Sequence, residues 1–359
     1  SWERLDNGLP EGDLGRVGLD VYRGDGDLVY ATVEAGDDQG GVFRSHDGGD
    51  SWERVSTVNP RPMYFSLIRI DPSNPERIYL GGTSLQASDD GGRTWWDADG
   101  QDLVHVDHHA LWIDPTDPGH VRSGNDGGVA ASRDGARTWR ILNNFATGQF
   151  YEIGVDMSDP YRVCGGLQDS DAWCGPSRSN TVFGTRNRDW LHLLEGDGIY
   201  AEFPAGVTDV VYAETQNGNL RRHRLSTREV QSIRPVARPD DSAPEDDRDY
   251  RFNWNAPVVP SAHDVNTVYL AGNHVMRSRD QGRSWEEASP DLTRAIDRDT
   301  LAIMGRVVDD ETLSAHDGVS SFGTITALAE SPLSPEVLYV GTDDGNLQVT
   351  QDGGASWEN

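Results

Sequence analysis

An eight-residue motif recurs along the chain and constrains its fold more than any other feature. It has the form Ser-x-Asp-x-Gly-x-Ser/Thr-Trp, and its copies occupy residues 45–52, 88–95, 132–139, 278–285 and 350–357, with Ala136 at the glycine position of the third and Thr350 opening the last. An aspartate that accepts backbone N–H groups and glycines that allow left-handed backbone are typical of a tight hairpin turn, and the tryptophan can pack between neighbouring units. We therefore expect the motif carboxylates to be structural: Asp47, Asp90, Asp134, Asp280 and Asp352.

Strand patterns surround the motif and extend to segments that lack it. An alternating apolar stretch ends in a proline-containing turn at 71–75 or 114–118, and a β-branched run such as 77–80 follows, then a third strand that leads into the motif. Units of four antiparallel strands and ~40 to 50 residues are typical of β-propeller blades. We predict an all-β chain forming one seven-bladed β-propeller over residues 1–359. Its blades are expected at approximately 3–52, 53–95, 96–139, 140–190, 191–232, 233–285 and 286–357.

The charge balance excludes several classes of partner. The chain has 43 Asp and 17 Glu, its basic residues are all Arg, and its net charge is -29. A surface of this sign does not favour nucleic acid or an anionic membrane, and no apolar run approaches the ~18 residues that a membrane-spanning helix needs. The excess of Asp with no Lys is typical of proteins from salt-loving microbes, although a GC-rich genome also replaces Lys codons by Arg codons.

The two cysteines leave two interpretations open. Cys164 and Cys174 flank a hairpin that carries Gln168 and Asp169. A disulfide there would clamp the hairpin and indicate an oxidising, extracytoplasmic location, secreted or at the cell surface. The alternative is a pair of thiols packed within strands. The opening residues, Ser1 to Arg4, look like the interior of a repeat, so we expect the chain to have been excised from a longer multi-domain one.

Candidate ligand-binding residues lie in the loops that a propeller presents around its channel mouth. Carboxylates, amides, imidazoles and aromatic rings together suit a glycan or peptide ligand, whereas the alternative is a solvated acidic rim. The candidates are Tyr64, Asp107, His108, His109, Asn125, Gln168, Asp197, Trp254, Asn273 and His274.

Catalysis and metal binding have weaker signals. Glycoside hydrolysis needs two carboxyl groups ~5 to 9 Å apart, and Asp126 with Asp169 is the pair that we assign to this role. His108 and His109 are adjacent, so on a strand they point in opposite directions and cannot both face one ion. We predict no metal and no cofactor, because no zinc, EF-hand, phosphate-loop or dinucleotide pattern is present.

The motif resembles the Asp-box (BNR) repeat of sialidases, xyloglucan-cleaving glycoside hydrolases and sortilin. Segments 125–128, 165–169, 175–178, 250–254 and 289–293 resemble the sortilin-like or BNR-type glycosyl hydrolase-like tandem-propeller proteins that bacteria and archaea secrete. Sialidases carry a Phe/Tyr-Arg-Ile-Pro segment, and this chain has none, so we do not expect sialidase activity. The resemblance implies an extracytoplasmic ligand-binding propeller, or alternatively a polysaccharide-cleaving enzyme whose two-carboxylate site a second propeller completes.

Overall fold

The computed structural model describes residues 5, 7–100, 103–142, 147–236, 250–309, 312–318 and 321–359. Ser1 to Arg4 lie outside the described residues. The chain divides into two compact units, and each is described by itself. One consists of Ser1–Ala146 with Val308–Asp317, and the other of Thr147–Val307 with Gly318–Asn359.

The first unit contains three four-stranded antiparallel sheets, whose strands follow one another in chain order. Sheet 1 consists of β1 (Leu14–Val21), β2 (Val29–Ala35), β3 (Gly41–Ser45) and β4 (Glu53–Ser56). Sheet 2 consists of β5 (Leu67–Asp71), β6 (Asn74–Gly81), β7 (Leu85–Ser88) and β8 (Trp96–Asp97). Sheet 3 consists of β9 (His108–Ile113), β10 (Val121–Asn125), β11 (Gly128–Ser132) and β12 (Arg140–Ile141).

The second unit repeats the same meander. Sheet 4 consists of β13 (Phe150–Val155), β14 (Arg162–Leu167), β15 (Ala172–Pro176) and β16 (Leu191–Leu194). Sheet 5 consists of β17 (Gly198–Glu202), β18 (Val210–Thr215), β19 (Asn219–Arg224) and β20 (Glu229–Ser232). Sheet 6 consists of β21 (Val258–Pro260), β22 (Val268–Ala271), β23 (Val275–Ser278) and β24 (Glu286–Glu287).

The rest of the second unit is less regular. A short hairpin is formed by β25 (Ala302–Ile303) and β26 (Arg306–Val307), and single 3₁₀ turns span Asn187–Asp189 and Arg298–Thr300. Sheet 7 has three strands, β27 (Ile325–Glu330), β28 (Leu338–Thr342) and β29 (Leu347–Thr350). A bridge between Val349 and Glu358 continues this sheet in the position of a fourth strand.

Consecutive sheets pack face to face within each unit. A tyrosine on the second strand marks this packing, and Tyr30, Tyr79, Tyr212 and Tyr269 are at most 3% exposed. Each lies in an apolar cluster that the following sheet completes; Tyr212, for example, shares its cluster with Val258 and Val268 of sheet 6. A strand buried on both faces must be apolar along its length, which explains the continuous β-branched and aromatic runs of β2 and β18.

The motif forms the turn between the third and fourth strands. In sheet 6 the Ser278 hydroxyl accepts the Gly282 N–H at 2.7 Å and donates to Asp280 at 2.9 Å. Asp280 in turn accepts the N–H of Ser284 at 2.9 Å and its hydroxyl at 2.6 Å. The same bonds form in the other four copies. The first-position hydroxyl residue is at most 1% exposed in all five, so the buried serine or threonine oxygen is the centre of the turn together with the aspartate.

The motif tryptophan ties its turn to the preceding sheet. The indole N–H groups donate to the segment that ends or follows the fourth strand of that sheet: Trp95 to Ser56, Trp139 to Ala98, Trp285 to Ile233 and Trp357 to Ala288. The side-chain bond from the seventh-position hydroxyl is the main cause that lowers the pKa of each motif aspartate to about 2. The motif carboxylates are therefore ionised and fully occupied within their own turns.

Sheets 4 and 5 lack the motif, and each has another stabilising feature. Sheet 4 has a disulfide between its second and third strands, and sheet 5 has an aspartate cap on the turn between its third and fourth strands. In sheet 4, Cys164 and Cys174 lie opposite each other on β14 and β15 and form a disulfide. In sheet 5, Asp209 from the preceding turn accepts the N–H of Ser226 at 2.7 Å and its hydroxyl at 2.9 Å. An aspartate from another loop thus caps the turn that a motif aspartate caps elsewhere.

The prediction of an all-β chain built from four-stranded antiparallel units is confirmed. The predicted blade ranges end at the motif tryptophans, whereas β4 begins at Glu53 and β8 at Trp96, directly after those tryptophans. The fourth strand of each motif-bearing sheet therefore belongs to the range that the sequence assigned to the next unit. The reason is that the motif is an internal turn of a sheet.

Candidate functional site

The predicted ligand-binding residues lie in both units, in the loops at the end of each sheet opposite the motif turn. One group in the first unit contains Tyr64, Asp107, His108, His109, Asn125 and Asp126. The other, in the second unit, contains Gln168, Asp169, Asp197, Trp254, Asn273 and His274. The structure brings together subsets of each group.

In the first unit, Tyr64, His109 and Asp126 are in contact and partly exposed. His109 Nε2 lies 3.1 Å from Asp126 Oδ1, and the rings of His109 and Tyr64 meet edge to face at 5.6 Å. The Arg61 guanidinium lies 4.8 Å from the centre of the Tyr64 ring. An imidazole beside a carboxylate can transfer a proton, bind a cation or donate to a ligand hydroxyl.

Asp107 lies beside this contact in a constrained position. Its backbone is left-handed, with φ 64°, and its N–H donates to the Thr83 carbonyl at 3.0 Å. One of its carboxylate oxygens is buried without a hydrogen-bond partner among the described residues. Burial, and next the charge of Asp126, raise the pKa of Asp107. A carboxyl group whose pKa is raised by a neighbouring carboxylate has the property that a general acid requires.

His108 has a structural role instead. It is fully buried, and its Nδ1 lies 2.8 Å from the Ser123 hydroxyl. Burial lowers the pKa of His108 to about 4, so the ring is neutral. His108 is buried at the start of β9, whereas its neighbour His109 is exposed. Asn125 ends β10 and pairs across the sheet with Gly128 and His108.

In the second unit, Asp197 is the centre of a network. One of its carboxylate oxygens accepts the Asp169 N–H at 2.8 Å, and the other accepts the Trp254 indole N–H at 2.8 Å and faces the Tyr151 hydroxyl at 3.5 Å. Its own N–H donates to Gln216 Oε1 at 3.1 Å. We call these five residues the Asp197 site.

The Asp197 site gathers loops from three sheets. Asp169 has left-handed backbone, with φ 55°, in the turn between β14 and β15, and the preceding Gln168 N–H donates to the Gln149 carbonyl at 2.9 Å. Trp254 precedes β21, and the residue remains 38% exposed. A fixed indole N–H on a partly exposed ring is the main feature of this site.

Asn273 and His274 are engaged within the structure. Asn273 is buried, accepts the Arg251 N–H at 3.0 Å and donates to Asp291 at 3.0 Å. Burial alone would raise the pKa of Asp291, but hydrogen bonds from Asn273 and Thr293 lower it to about 2. His274 Nδ1 lies 3.2 Å from the Ser289 carbonyl. Both residues therefore fasten the segment after β24 to sheet 6.

Sequence reasoning missed two glutamates, one partly buried and one fully buried. Glu202 ends β17, and burial, with a smaller effect from Glu152, raises its pKa to about 7. Glu214 is fully buried near the end of β18. A sequence signal existed for Glu214, because the residue two positions after the second-strand tyrosine is Gly81, Ala271 or Gly341 in other sheets and Glu214 after Tyr212.

Comparison with known proteins gives one curated relative. An oligoxyloglucan-reducing end-specific xyloglucanase of Emericella nidulans is 23% identical over 158 residues, which is 39% of this chain. The chain covers 19% of the length of that relative. No protein-family model matches the chain.

Solved structures give loose similarity. A GH74 xyloglucanase from Xanthomonas campestris matches 93% of this chain and 44% of its own, with 14% identity and a TM-score of 0.30. YCF48 bound to a D1 peptide matches 95% of this chain and 99% of its own, with 13% identity and a TM-score of 0.31. Within the described ranges, no helix combines the length and the hydropathy needed to cross a membrane.

Proposed function

We propose that the chain is a carbohydrate-binding protein whose ligand stacks on Trp254. The observation that carries this proposal is the exposed indole ring whose N–H is held by Asp197 at 2.8 Å. A ring held in one orientation is an apolar platform for the face of a sugar, and it costs little conformational entropy on binding. The Gln216 amide and the Tyr151 hydroxyl supply polar groups next to it.

The curated relative supports a glycan in preference to a peptide. Its name places its activity on xyloglucan oligosaccharides, and its similarity to this chain covers 158 residues. We therefore infer a β-glucan of the xyloglucan type as the first ligand to test.

Calorimetric titration with a xyloglucan oligosaccharide tests the proposal. Trp254→Ala and Asp197→Asn should each weaken binding about tenfold, since the first removes the ring and the second replaces one of the two oxygens that accept from Asp169 and Trp254 by an NH2 group. Trp112→Ala is the matched control, because Trp112 is 44% exposed and lies in the first unit. Equal affinities for wild type and Trp254→Ala would contradict the proposal, and binding of a peptide arm instead of the oligosaccharide would reassign the ligand.

Hydrolysis of a polysaccharide is a second candidate function. It is favoured by the raised pKa of Asp107 and by the second carboxyl group, that of Asp126, beside it. The sequence-based assignment of Asp126 and Asp169 as the catalytic pair, with a second propeller of a longer chain completing the site, remains a hypothesis. Depolymerisation of xyloglucan that is lost in Asp107→Asn, Asp126→Asn or Asp169→Asn would support an enzyme. Binding without turnover in the wild type would count against one.

The architecture belongs to the same proposal. We propose that the seven sheets are blades of one β-propeller of the sortilin-like, BNR type. The common turn geometry of five sheets and the face-to-face packing of consecutive sheets support this. An experimental structure with a blade number other than seven would contradict it.

An extracytoplasmic location is supported by the Cys164–Cys174 disulfide. Intact mass after alkylation without reductant should show no modified thiol, and two alkylated cysteines in folded protein would contradict the oxidised state. A halophilic origin is supported by the net charge of -29. It predicts a higher thermal midpoint in molar salt than in dilute buffer, and equal midpoints would count against it.

A further inference from the structure

Glu214 is a carboxyl group in an unusual environment. It is 0% exposed, Oε1 accepts the Gly218 N–H at 3.1 Å, and Oε2 has no hydrogen-bond partner among the described residues. No ion pair within the described part of the chain includes it, and the nearby charge is another carboxylate, Asp197. Burial of an unpaired charge is strongly unfavourable, so burial raises the pKa of Glu214 and favours the neutral form of its carboxyl group.

The fold itself does not require an acid at this position. In the other sheets whose second strand carries the buried tyrosine, the residue two positions later is Thr32, Gly81 or Ala271. Sheets of the same construction therefore form with small or uncharged residues there. A buried carboxyl group is costly, and among these sheets only sheet 5 carries one at this position, which calls for a role specific to sheet 5.

The surroundings of Glu214 supply that role. The amide of Gly218 donates to it, and the amides of Tyr200 and Ala256 lie near enough to act on its pKa. Gly218 and Ala256 lie in two loops of the Asp197 site, 216–218 and 253–256, and Tyr200 lies in β17, which follows the third loop, 195–197.

The same loops are joined to one another by hydrogen bonds. Asp197 N–H donates to Gln216 Oε1 at 3.1 Å, Asn217 N–H donates to the Trp254 carbonyl at 3.2 Å, and the Trp254 indole donates to Asp197 at 2.8 Å. Glu214 therefore contacts or adjoins the backbone of every loop that carries the platform.

We propose that Glu214 is a positioning residue whose neutral carboxyl group holds the three loops of the Asp197 site and so fixes the orientation of Trp254. The inference rests on the proposed carbohydrate-binding function, and it deepens that function by naming what preorganises the platform. Glu214 is buried and makes no contact with the ligand. It acts through the backbone of the residues that do.

The test uses two readouts in the full chain. Protein labelled with 5-fluorotryptophan gives a ¹⁹F resonance for Trp254, which Trp254→Phe assigns, and calorimetry gives the affinity for the xyloglucan oligosaccharide. Glu214→Gln keeps a neutral group of the same shape, so the Trp254 resonance should be unchanged and the affinity within about twofold of wild type. Glu214→Ala should shift the resonance and weaken binding about tenfold.

Controls separate positioning from general destabilisation. Glu330→Gln neutralises a carboxyl group bonded to Ser261 and Tyr269 of the same unit, and it should change neither readout. If Glu214→Ala does not fold, Glu214→Asp, shorter by one methylene, takes its place with the same expected direction.

Two results would overturn the inference. One is an unchanged Trp254 resonance and affinity in Glu214→Ala, which would show that the loops need no support. The other is a Glu214→Gln variant as impaired as Glu214→Ala, which would show that the charged form is required. If wild type does not bind the oligosaccharide, the proposed function fails, while the ¹⁹F resonance still tests the positioning.

Discussion

At the motif end of the sheets, five turns repeat one set of hydrogen bonds, whereas the loops at the opposite end differ from sheet to sheet. Asp280 at the motif end bonds only within its own turn, to Ser278 and Ser284. Asp197 at the opposite end bonds to residues as distant in sequence as Trp254. The same residue type thus closes a local turn in one place and joins three sheets in the other.

The pKa values of the carboxyl groups also differ between the two ends of the sheets. Local hydrogen bonds lower the pKa of every motif aspartate to about 2, so these groups are ionised and satisfied. Asp107 and Glu214, at the opposite end, have a pKa raised mainly by burial. Carboxyl groups with perturbed pKa values are frequent at functional sites. The repeated end therefore maintains the fold, and the variable end is the place to look for function.

The largest expected effect tests whether burial of a carboxyl group destabilises this fold. The pKa of Glu202 is raised from 4.5 in the unfolded chain to about 7 in the folded protein. The stabilisation from the protonated Glu202 is therefore fully present below pH 4.5 and is lost as pH rises through 7. The free energy of unfolding of Glu202→Gln, relative to that of wild type, should therefore increase by about 2 to 3 kcal/mol from pH 4 to pH 8. Urea unfolding at both pH values measures this.

Glu152→Gln is the matched control for that experiment. Glu152 contributes the smaller part of the raised pKa of Glu202, so this variant should reduce the pH effect without abolishing it. If the difference in unfolding free energy between wild type and Glu202→Gln is the same at pH 4 and pH 8, Glu202 is solvated.

The second-largest expected effect tests whether the motif end of the sheets maintains the fold without affecting ligand binding at the opposite end. Ser278→Ala removes the buried acceptor of the Gly282 N–H and should destabilise the fold by about 2 kcal/mol, since a buried donor is left unpaired. Oligosaccharide affinity should not change. Ser284→Ala removes an exposed hydroxyl of the same turn and should cost less. A change in ligand affinity in Ser278→Ala would contradict the division between a fold-maintaining end and a ligand-binding end.

The smallest effect concerns backbone strain in the motif. Gln281 has φ 63° at a position where four copies of the motif have Gly48, Gly91, Gly135 and Gly353. Gln281→Gly should stabilise the protein by about 0.5 to 1 kcal/mol, because glycine adopts this backbone without a steric penalty. Gly353→Ala, the reverse change at the matched position, should destabilise it. An unchanged unfolding midpoint in both would mean that the turn imposes no strain.

The motif end could be predicted from the sequence because its bonds are local. The turn residues, the strands around them and the four-stranded units all follow from patterns within ~50 residues. The sequence did not predict that the buried first-position serine hydroxyl is a second centre of the turn, because the identity of a residue does not show how deeply its oxygen is buried. Strand alternation also predicted that His108 and His109 point in opposite directions, and they differ as expected in burial.

The opposite end could be predicted only as a set of loops. The sequence grouped twelve residues there, but it could not show that Asp197 joins Asp169 and Trp254 or that Asn273 is occupied by Arg251 and Asp291. Such contacts depend on how sheets pack, over separations that periodicity does not encode. The ligand-binding and catalytic assignments remain predictions for the experiments above.

The self-contained motif turn has a consequence for protein engineering. Since each turn satisfies its own backbone and four of the five are attached to the preceding sheet by their tryptophan, the loops at the other end are free to vary without loss of the framework. Segments 216–218 and 253–255 could be randomised above an intact Glu214, as antibody loops are randomised on their scaffold. A library of this kind would turn one acidic framework into a source of new binding specificities.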